Sequence, residues 1–505
     1  MVDLERWVSL HPASLAYTAG EVRLPPADGR PRGRAPALAA SLAAANESWG
    51  NPVASELDRW RGGAAAIVTG QQPGLLGGPL LTLIKACAVA SEVRRRRAAG
   101  SDAIGFLWLA TADDDLAEMG WARLAAGEEV IEAREDGWAR GDSVGGEALL
   151  GTACETLLAR LAEPGSPHAR AASELAATCY APGARLGEAT ARFLARLLRG
   201  TGVVIVDALE PEIARAAADV VALVLDRLPQ ATEVLRNGEL LMGAHGWPLP
   251  FPVTPQRLPV FRVQQGRRQR IASRDGACPA AVLTELAAAP ETFVPNVWLR
   301  SLVQDAALGS ATVLLGGGEL AYHIQAAELW RLANLPRPEW RLRPHVTVVT
   351  AGERRLARAL AVAPEHVLER RLPRHLLGGK RVHRGVERLR RALGGPLDTL
   401  AEAARADLPA LAGDLEATRQ KLLGAVSWLE QRATSAATRA AEVDAGRLGR
   451  LRAFLRPLGR PQERTLSVLA PVLRLGLDWP AQLAAAIDPM NPGMHLLNWE
   501  DGGSW

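Results

Sequence analysis

Three clusters in this sequence have residue types and spacings suited to chemistry. The first is Thr69-Gly70-Gln71-Gln72-Pro73-Gly74-Leu75-Leu76-Gly77-Gly78-Pro79. Glycines at this density let the backbone approach a ligand closely, and amides exposed ahead of a helix suit a phosphate or carboxylate. Gln71 and Gln72 add side-chain amides that both donate and accept. The stretch lacks the GxGxxG spacing of a dinucleotide fingerprint and the GK[ST] of a P-loop. A tight strand-to-helix connection without a ligand also accounts for it. The second cluster is Asp113-Asp114-Asp115, whose adjacent carboxylates need water, a cation or hydrogen-bond donors. Asp113 and Asp115 form a DxD pair that could hold magnesium, an amine or sugar hydroxyls; a solvated helix N-cap is the plainer reading. The third is Gly316-Gly317-Gly318-Glu319-Leu320-Ala321-Tyr322. There Glu319 could be a general base or an amine-binding group, or could simply complement a helix dipole. Upstream, Asn296, Arg300 and Gln304 fall at i, i+4 and i+8 on one helical face, and their apolar neighbours point to a lined cleft. His245 and His323 are the histidines best placed for a site, with a structural role the simpler reading of each. The chain has no HExxH, which sets zinc-protease chemistry aside.

These clusters need elements to hold them. Ala64–Val68 is a short apolar run of buried-strand type, with a helical pattern from Leu80 to Arg97 and a second buried strand over Ala103–Ala110. Strand, glycine loop, helix and strand make a βαβ unit and imply a parallel sheet with a right-handed crossover. The pattern recurs at Gly202–Asp207, with a helix over Pro211–Leu228. It recurs again at Ala311–Leu315, with a helix to Ala333, and at His345–Val349. The fold class is therefore α/β, a Rossmann-like doubly wound parallel sheet with inserted segments, whose ligands gather beyond the carboxyl ends of the strands. Past Ala351 the strands fade. Leu397, Leu400, Ala404, Leu408, Leu411, Leu415, Thr418, Leu422, Ala425 and Leu429 are spaced by threes and fours, and Ala433, Ala436, Ala440 and Val443 extend them. Such a seam is buried against another helix, either in this chain, where Leu448, Leu451 and Leu455 continue a stripe, or in a second subunit. The expected division is a core from 1–119, 201–229 and 291–375, insertions at 120–200 and 230–290, a helical dimerisation region at 376–460, and a segment at 461–505 that returns to the core.

Composition narrows the classes further. With 505 residues, 48% hydrophobic and 23% charged, the chain is long enough for a large core and is not a disordered one. Cys87, Cys154, Cys179 and Cys278 lie far apart with no CxxC pair, which argues against a disulfide framework or a thiolate zinc site. The opening MVDLERWVSL lacks a signal-peptide pattern and no apolar run approaches membrane-span length, so the expectation is a cytoplasmic protein without membrane contact. The net charge is +4, but positive charge is scattered, so nucleic-acid binding is not expected. The one basic run, Arg94–Arg97, closes a helix, where it complements the dipole. Only Lys85, Lys380 and Lys421 are lysines, which singles out each of them. Lys85 reads as a helix residue near the glycine loop, with phosphate contact the lesser reading.

Taken together, TGQQPGLLGGP through Lys85, WLATADDD at Trp108–Asp115, FVPNVWLRSLVQD at Phe293–Asp305, GGGELAY at Gly316–Tyr322 and PQER at Pro461–Arg464 resemble the bacillithiol-synthesis cysteine-adding family, BshC, over nearly the whole chain. The resemblance implies a Rossmann-like core reminiscent of class I aminoacyl-tRNA synthetases and a C-terminal coiled coil that makes homodimers. It also implies an enzyme, a cysteine ligase that joins cysteine to the amine of glucosaminyl-malate. Where the family carries a run close to GEDHD, this chain has Thr111-Ala112-Asp113-Asp114-Asp115, with no histidine. Gly317 stands where the family has proline. On this reading ATP with magnesium activates the cysteine carboxylate as an adenylate. Thr69, Gly70, Gln71, Gln72, Gly74 and Gly78 hold phosphate or carboxylate, and Asn296, Gln304 and Tyr322 line the substrate site. Asp113 and Asp115 bind an amine or hydroxyls, Arg300 pairs with a malate carboxylate, and Glu319 takes the proton from the attacking amine. Two other classes stay open on the residues alone: a metal-dependent nucleotide-sugar transferase using Asp113 and Asp115, and a non-catalytic coiled-coil scaffold with a degenerate core.

Overall fold

The computed structural model describes residues 10–24, 26, 32, 34–138, 143–161, 166–254, 256–368, 380–440 and 442–499. The parts of the expected segments at 1–9, 369–379 and 500–505 lie outside the described residues. The strands are β1 (Ala65–Gln71), β2 (Ala103–Leu109), β3 (Trp121–Ala126), β4 (Glu129–Arg134), β5 (Val203–Asp207), β6 (Arg257–Gln264), β7 (Arg267–Ala272), β8 (Phe293–Pro295), β9 (Ser310–Leu315), β10 (Glu339–Leu342), β11 (His345–Val349) and β12 (Met494–Asn498). Two compact units emerge: residues up to 124, 131–350 and 460 onward form one, and 125–130 with 351–459 form the other.

The first unit is built on a parallel five-stranded sheet of order β10-β9-β1-β2-β5. Its inner strands are apolar on both faces, as a sheet covered by helices requires, and β2 is buried at every residue. From β1 the chain steps outward through β2 to β5, then returns to the other side of β1 for β9 and β10. The strand order therefore reverses between β1 and β9. That is the switch point where a crevice opens beyond the carboxyl ends of the strands. The crossover helix Leu81–Ala98 is buried continuously from Leu81 to Val93, because the sheet lies on one side and the Trp479–Ala486 helix on the other. It approaches β2 so closely that a Cβ on Gly105 would lie 2.6 Å from Val89 Cγ1. The helix ends at Gly100, whose φ of 80° only glycine adopts readily.

Several expectations change. β1 runs on to Gln71, so Thr69, Gly70 and Gln71 belong to the strand and the irregular loop begins at Gln72. β11 does not join the central sheet; it pairs in parallel with β12, and the short β10 takes the sheet edge. The helical stretch from Pro211 breaks at Arg227 into Pro211–Asp226 and Leu228–Ala244. The helix after β9 likewise divides into Gly317–Gln325 and Leu329–Leu332. In the second inserted stretch, β6 pairs antiparallel with β7 and β8.

In the second unit the continuous heptad helix is replaced by a hairpin, Lys380–Asp407 packed on Ala412–Ala440. Proline disfavours the helical conformation in the residue before it. Leu408, before Pro409, sits at φ −140° and ψ 69°, and Pro409–Leu411 makes the turn. The buried seam of the hairpin includes Ala401, Ala404 and Val426 instead of the leucine stripe, and Leu400, Leu408, Leu411, Leu422 and Leu429 stay exposed. Leu448, Leu451 and Leu455 are buried in the Glu442–Leu455 helix, which packs against Ala351–Ala359 and Pro364–Leu368. The side chains of Ala436, Ala440 and Val443 lie outside the described residues. No described helix is long and apolar enough to cross a membrane.

Candidate functional site

Two cavities open at the switch point of the first unit and share a wall of Gln72, Trp108, Ala110 and Arg300. The first, of about 280 Å³, lies over the ends of β1, β2 and β9. The second, of about 450 Å³, lies between the Asp113–Asp115 segment and the β6–β7 ribbon.

At the floor of the first cavity is Lys85, one turn into the crossover helix and 2% exposed. Its Nζ donates to the Gly70 carbonyl at 2.7 Å, to Gln71 Oε1 at 3.0 Å and to Glu319 Oε1 at 2.6 Å. An ammonium has three donors, so three partners saturate it. Burial pushes the Lys85 pKa down, and Glu319 only partly restores it. Glu319 Oε2 accepts from the Gly316 amide at 2.5 Å, closing the first turn of Gly317–Gln325. Burial works against its charge, but Lys85 and the Gly316 amide outweigh it, and the carboxyl lies below its ordinary range. A carboxylate so engaged is a weak proton acceptor. The expected base at Glu319 is, in the structure, the partner of Lys85 and a helix cap. Gly317 and Gly318, at the positive end of that helix, line the same cavity with Arg343 and Arg464. Four cations, Lys85, Arg300, Arg343 and Arg464, thus face two acids, Glu118 and Glu319.

The glycine loop does not form the expected anion cradle. The Gly74 amide donates to Thr190 Oγ1 at 3.2 Å, the Gly77 amide to Tyr180 Oη at 2.7 Å and the Gly78 amide to the Leu75 carbonyl at 3.0 Å. Its donors are consumed by the first inserted stretch and by the loop itself. Thr69 is also inward: its hydroxyl donates to the Leu314 carbonyl at 2.8 Å across the sheet. Thr69, Gly74 and Gly78 therefore shape the wall without lining the first cavity. Gly70, Gln71 and Gln72 do line it.

Arg300 bridges the two cavities. Its Nη1 donates to Asp113 Oδ2 at 2.7 Å, and it is also hydrogen-bonded with Tyr322. Asp113 Oδ1 accepts the amides of Asp114 at 2.8 Å and Asp115 at 3.2 Å. Burial alone would raise the Asp113 carboxyl, but Arg300 holds it down. Asp115 Oδ1 accepts the Glu118 amide at 3.1 Å, the N-cap reading of that residue. Asp114 pairs with Arg268 at 3.0 Å, and Arg268 stacks 3.8 Å from the centre of the Phe261 ring. The DxD carboxylates are thus engaged by a guanidinium and by amides. Among the described residues no three His, Cys, Asp or Glu side chains group as metal ligands.

The polar face read from Asn296, Arg300 and Gln304 does line the site. Gln304 faces the first cavity, Asn296 the second and Arg300 both. Asn296 precedes the Leu299–Leu308 helix, and its Oδ1 accepts the Leu299 amide at 3.1 Å. Tyr322 lines the first cavity, with burial pushing its hydroxyl up to about 12. His323 is stacked among Tyr322, Trp330 and Trp340, its Nδ1 donating to the Glu319 carbonyl at 2.8 Å. Burial lowers it to about 4, so the ring is neutral, and it lines the first cavity. His245 stacks on Trp247, 4.2 Å between ring centres, and lines neither cavity.

Sequence reasoning missed Arg343, Arg464, Glu118, Arg268 and Arg270, and under-read Lys85. The scarcity of lysine was the signal for Lys85, and the PQER segment was the signal for Arg464. Nothing local marks Arg343 or Arg268, because the chain is rich in arginine.

With the geometry in hand, comparison with known proteins is informative. The model of the "Bacillithiol biosynthesis BshC, N-terminal Rossmann-like domain" matches residues 26–344, and that of the "Bacillithiol biosynthesis BshC, C-terminal coiled-coil domain" matches 382–499. A protein of Koribacter versatilis named "Putative cysteine ligase BshC" is 28% identical over 477 residues, covering 87% of this chain and 86% of its own. Proteins of the same name from Solibacter usitatus and Thermus thermophilus are 26% and 29% identical. They cover 87% and 81% of this chain, and 85% and 84% of their own lengths.

Proposed function

This chain belongs to the bacillithiol biosynthesis BshC family, and from that premise we propose that it joins the carboxyl group of cysteine to the amine of glucosaminyl-malate. The observation that supports the reading is the pair of cavities that meet at Gln72, Trp108 and Arg300. A ligation needs two substrates side by side, with reacting atoms about 3–3.5 Å apart.

A carboxylate and an amine do not condense unaided, because hydroxide is a poor leaving group. ATP with magnesium would supply a better one. The cationic lining of the first cavity fits a polyphosphate; Arg343, Arg464 and the amides of Gly317 and Gly318 would hold it, above the charge of Lys85 at the floor. The second cavity suits the sugar. Asp113, Asp114 and Asn296 offer acceptors to an amine or hydroxyls. Arg268 and Arg270 offer guanidiniums to the malate carboxylates beside the partly committed Arg300. Glu118 is better placed than Glu319 to take the amine proton. It lines the first cavity and is bonded to Gln72, and partial desolvation with the charges of Asp115 and Asp113 pushes its carboxyl up.

Incubating the purified protein with cysteine, glucosaminyl-malate and ATP-magnesium, omitting each in turn, and following product mass tests the proposal. Product that requires both substrates is expected; its absence with folded protein would sink the reading. The coiled-coil hairpin is proposed as the homodimer contact. Leu400, Leu408 and Trp428 are 51%, 61% and 56% exposed on it, and Leu422→Asp is expected to shift sedimentation from dimer to monomer.

A further inference from the structure

Several buried polar side chains converge on the short helix Gln462–Thr465. Glu463, fully buried, accepts four hydrogen bonds: from Arg343 Nη1 at 3.0 Å and Nη2 at 2.7 Å, from His345 Nδ1 at 2.7 Å and from the Val346 amide at 3.0 Å. That set occupies both carboxylate oxygens, and Arg343 and His345 hold Glu463 ionised against the cost of burial. Beside it, buried Gln462 accepts the Val348 amide at 2.7 Å and donates to the Val348 carbonyl at 3.1 Å. A side-chain amide here does what a neighbouring strand would do for β11. Two consecutive side chains thereby dock this helix on β11, and the next residue, Arg464, is delivered to the first cavity, which Arg343 also lines. Arg343 Nε is buried with no hydrogen-bond partner among the described residues. Beside a cavity, such a donor is one that a bound oxyanion can satisfy.

We infer that Gln462 and Glu463 form a latch that sets Arg343 and Arg464 as a two-guanidinium clamp for an oxyanion in the first cavity. The inference rests on that cavity being the ligand site proposed above and does not depend on turnover. The clamp takes the oxygens of a phosphate or of a carboxylate, which paired guanidiniums recognise alike. The latch residues touch no ligand. They act by holding Arg343 in its buried pose and Arg464 at the mouth.

Titration calorimetry of the full-length protein with pyrophosphate and, separately, with malate tests this. Wild type binds at least one probe, and whichever binds names the source of the oxyanion. Arg464→Ala and Glu463→Gln each weaken that binding at least tenfold, and Arg464→Lys restores part of it by keeping the charge without the fork. Gln462→Ala, which loosens the latch without stranding a charge, stands in if Glu463→Gln does not fold. Glu92→Gln breaks another buried arginine–glutamate cluster, one that lines neither cavity. It lowers the melting temperature and leaves probe affinity unchanged. The inference is overturned if wild type binds neither probe. It is equally overturned if latch variants with native circular dichroism bind as wild type does. A protein that binds the probe but forms no product would refute the ligation reading alone.

Discussion

The Leu81–Ala98 helix carries a buried ion cluster towards each end, and the contrast between them separates structure from function. Towards the C-terminal end, Glu92 is fully buried and is held by Arg95 and Arg96 at 2.8 Å and by Arg341 at 2.6 Å. It lines neither of the two cavities. Arg94 and Arg97 are tied to the Ala484 and Ala103 carbonyls. The four-arginine run is thus a clamp between helix, sheet and the C-terminal segment. Towards the N-terminal end, Lys85 and Glu319 pair at 2.6 Å and, with Arg300, Arg343 and Arg464, line an open cavity. Both clusters bury charge, which is costly unless the charge is paired. At one end three arginines share one buried carboxylate, and the cluster holds elements together. At the other, cations that are already paired with protein carboxylates also line a cavity, where a ligand's charge can reach them.

Four measurements would break or sharpen this contrast. The largest effect is expected for Lys85→Met, which removes the cation at the cavity floor while keeping its volume. Product formation should fall by about 100-fold, in the range seen on removing one preorganised electrostatic donor; an unchanged rate would make Lys85 structural like Glu92. Glu92→Gln should do the opposite. Unfolding stability drops by about 3 kcal/mol, the usual cost of stripping one partner from a buried pair, while turnover per folded molecule stays at wild type. The same cluster sets an acid limit. Arg95, Arg96 and Arg341 outweigh burial and hold Glu92 at about 2, against an ordinary value of 4.5. The unfolded chain therefore takes up the proton first. The stabilisation is complete above pH 4.5 and fades as pH falls towards 2. Denaturant midpoints across that window should fall less steeply for Glu92→Gln than for wild type.

The smallest effect concerns Asp305, a buried carboxyl behind the cavity wall. It accepts from Trp330 Nε1 at 2.8 Å, and burial raises it to about 6. A raised folded value contributes stability below the unfolded pKa of 3.8 that is lost as pH rises through about 6. Asp305→Asn keeps the acceptor for Trp330 and removes the buried charge. It should raise the midpoint of thermal unfolding by a few degrees at pH 7.5 and leave it unchanged at pH 4. A loss at both would mean that the carboxylate itself is needed.

Much of this could be read in advance, and particular residues show why. β1, β2, β5 and β9 are short, apolar and followed by glycine or aspartate, a local pattern that survives folding. Gln71 was legible because it ends such a strand, and Arg300 and Gln304 because their spacing puts them on one helical face. The anion cradle was misread because Gly74 and Gly77 find their partners in Thr190 and Tyr180, more than a hundred residues away. The leucine stripe was read as one helix because spacing repeats through Leu408 and Leu411, while Pro409 breaks the backbone between them.

By itself the sequence determined the parallel α/β class, the βαβ units and the helical segment past Ala351, because periodicity and glycine placement act over a few residues. It also determined membership of the family, through motifs that stand in order along the chain. Only the tertiary structure decided which charges line the cavities. Lys85 and Glu319 lie 234 residues apart, and Arg343 and Glu463 lie 120 apart. Whether a cation is spent on a protein carboxylate or left for a substrate depends on distances that no local pattern encodes.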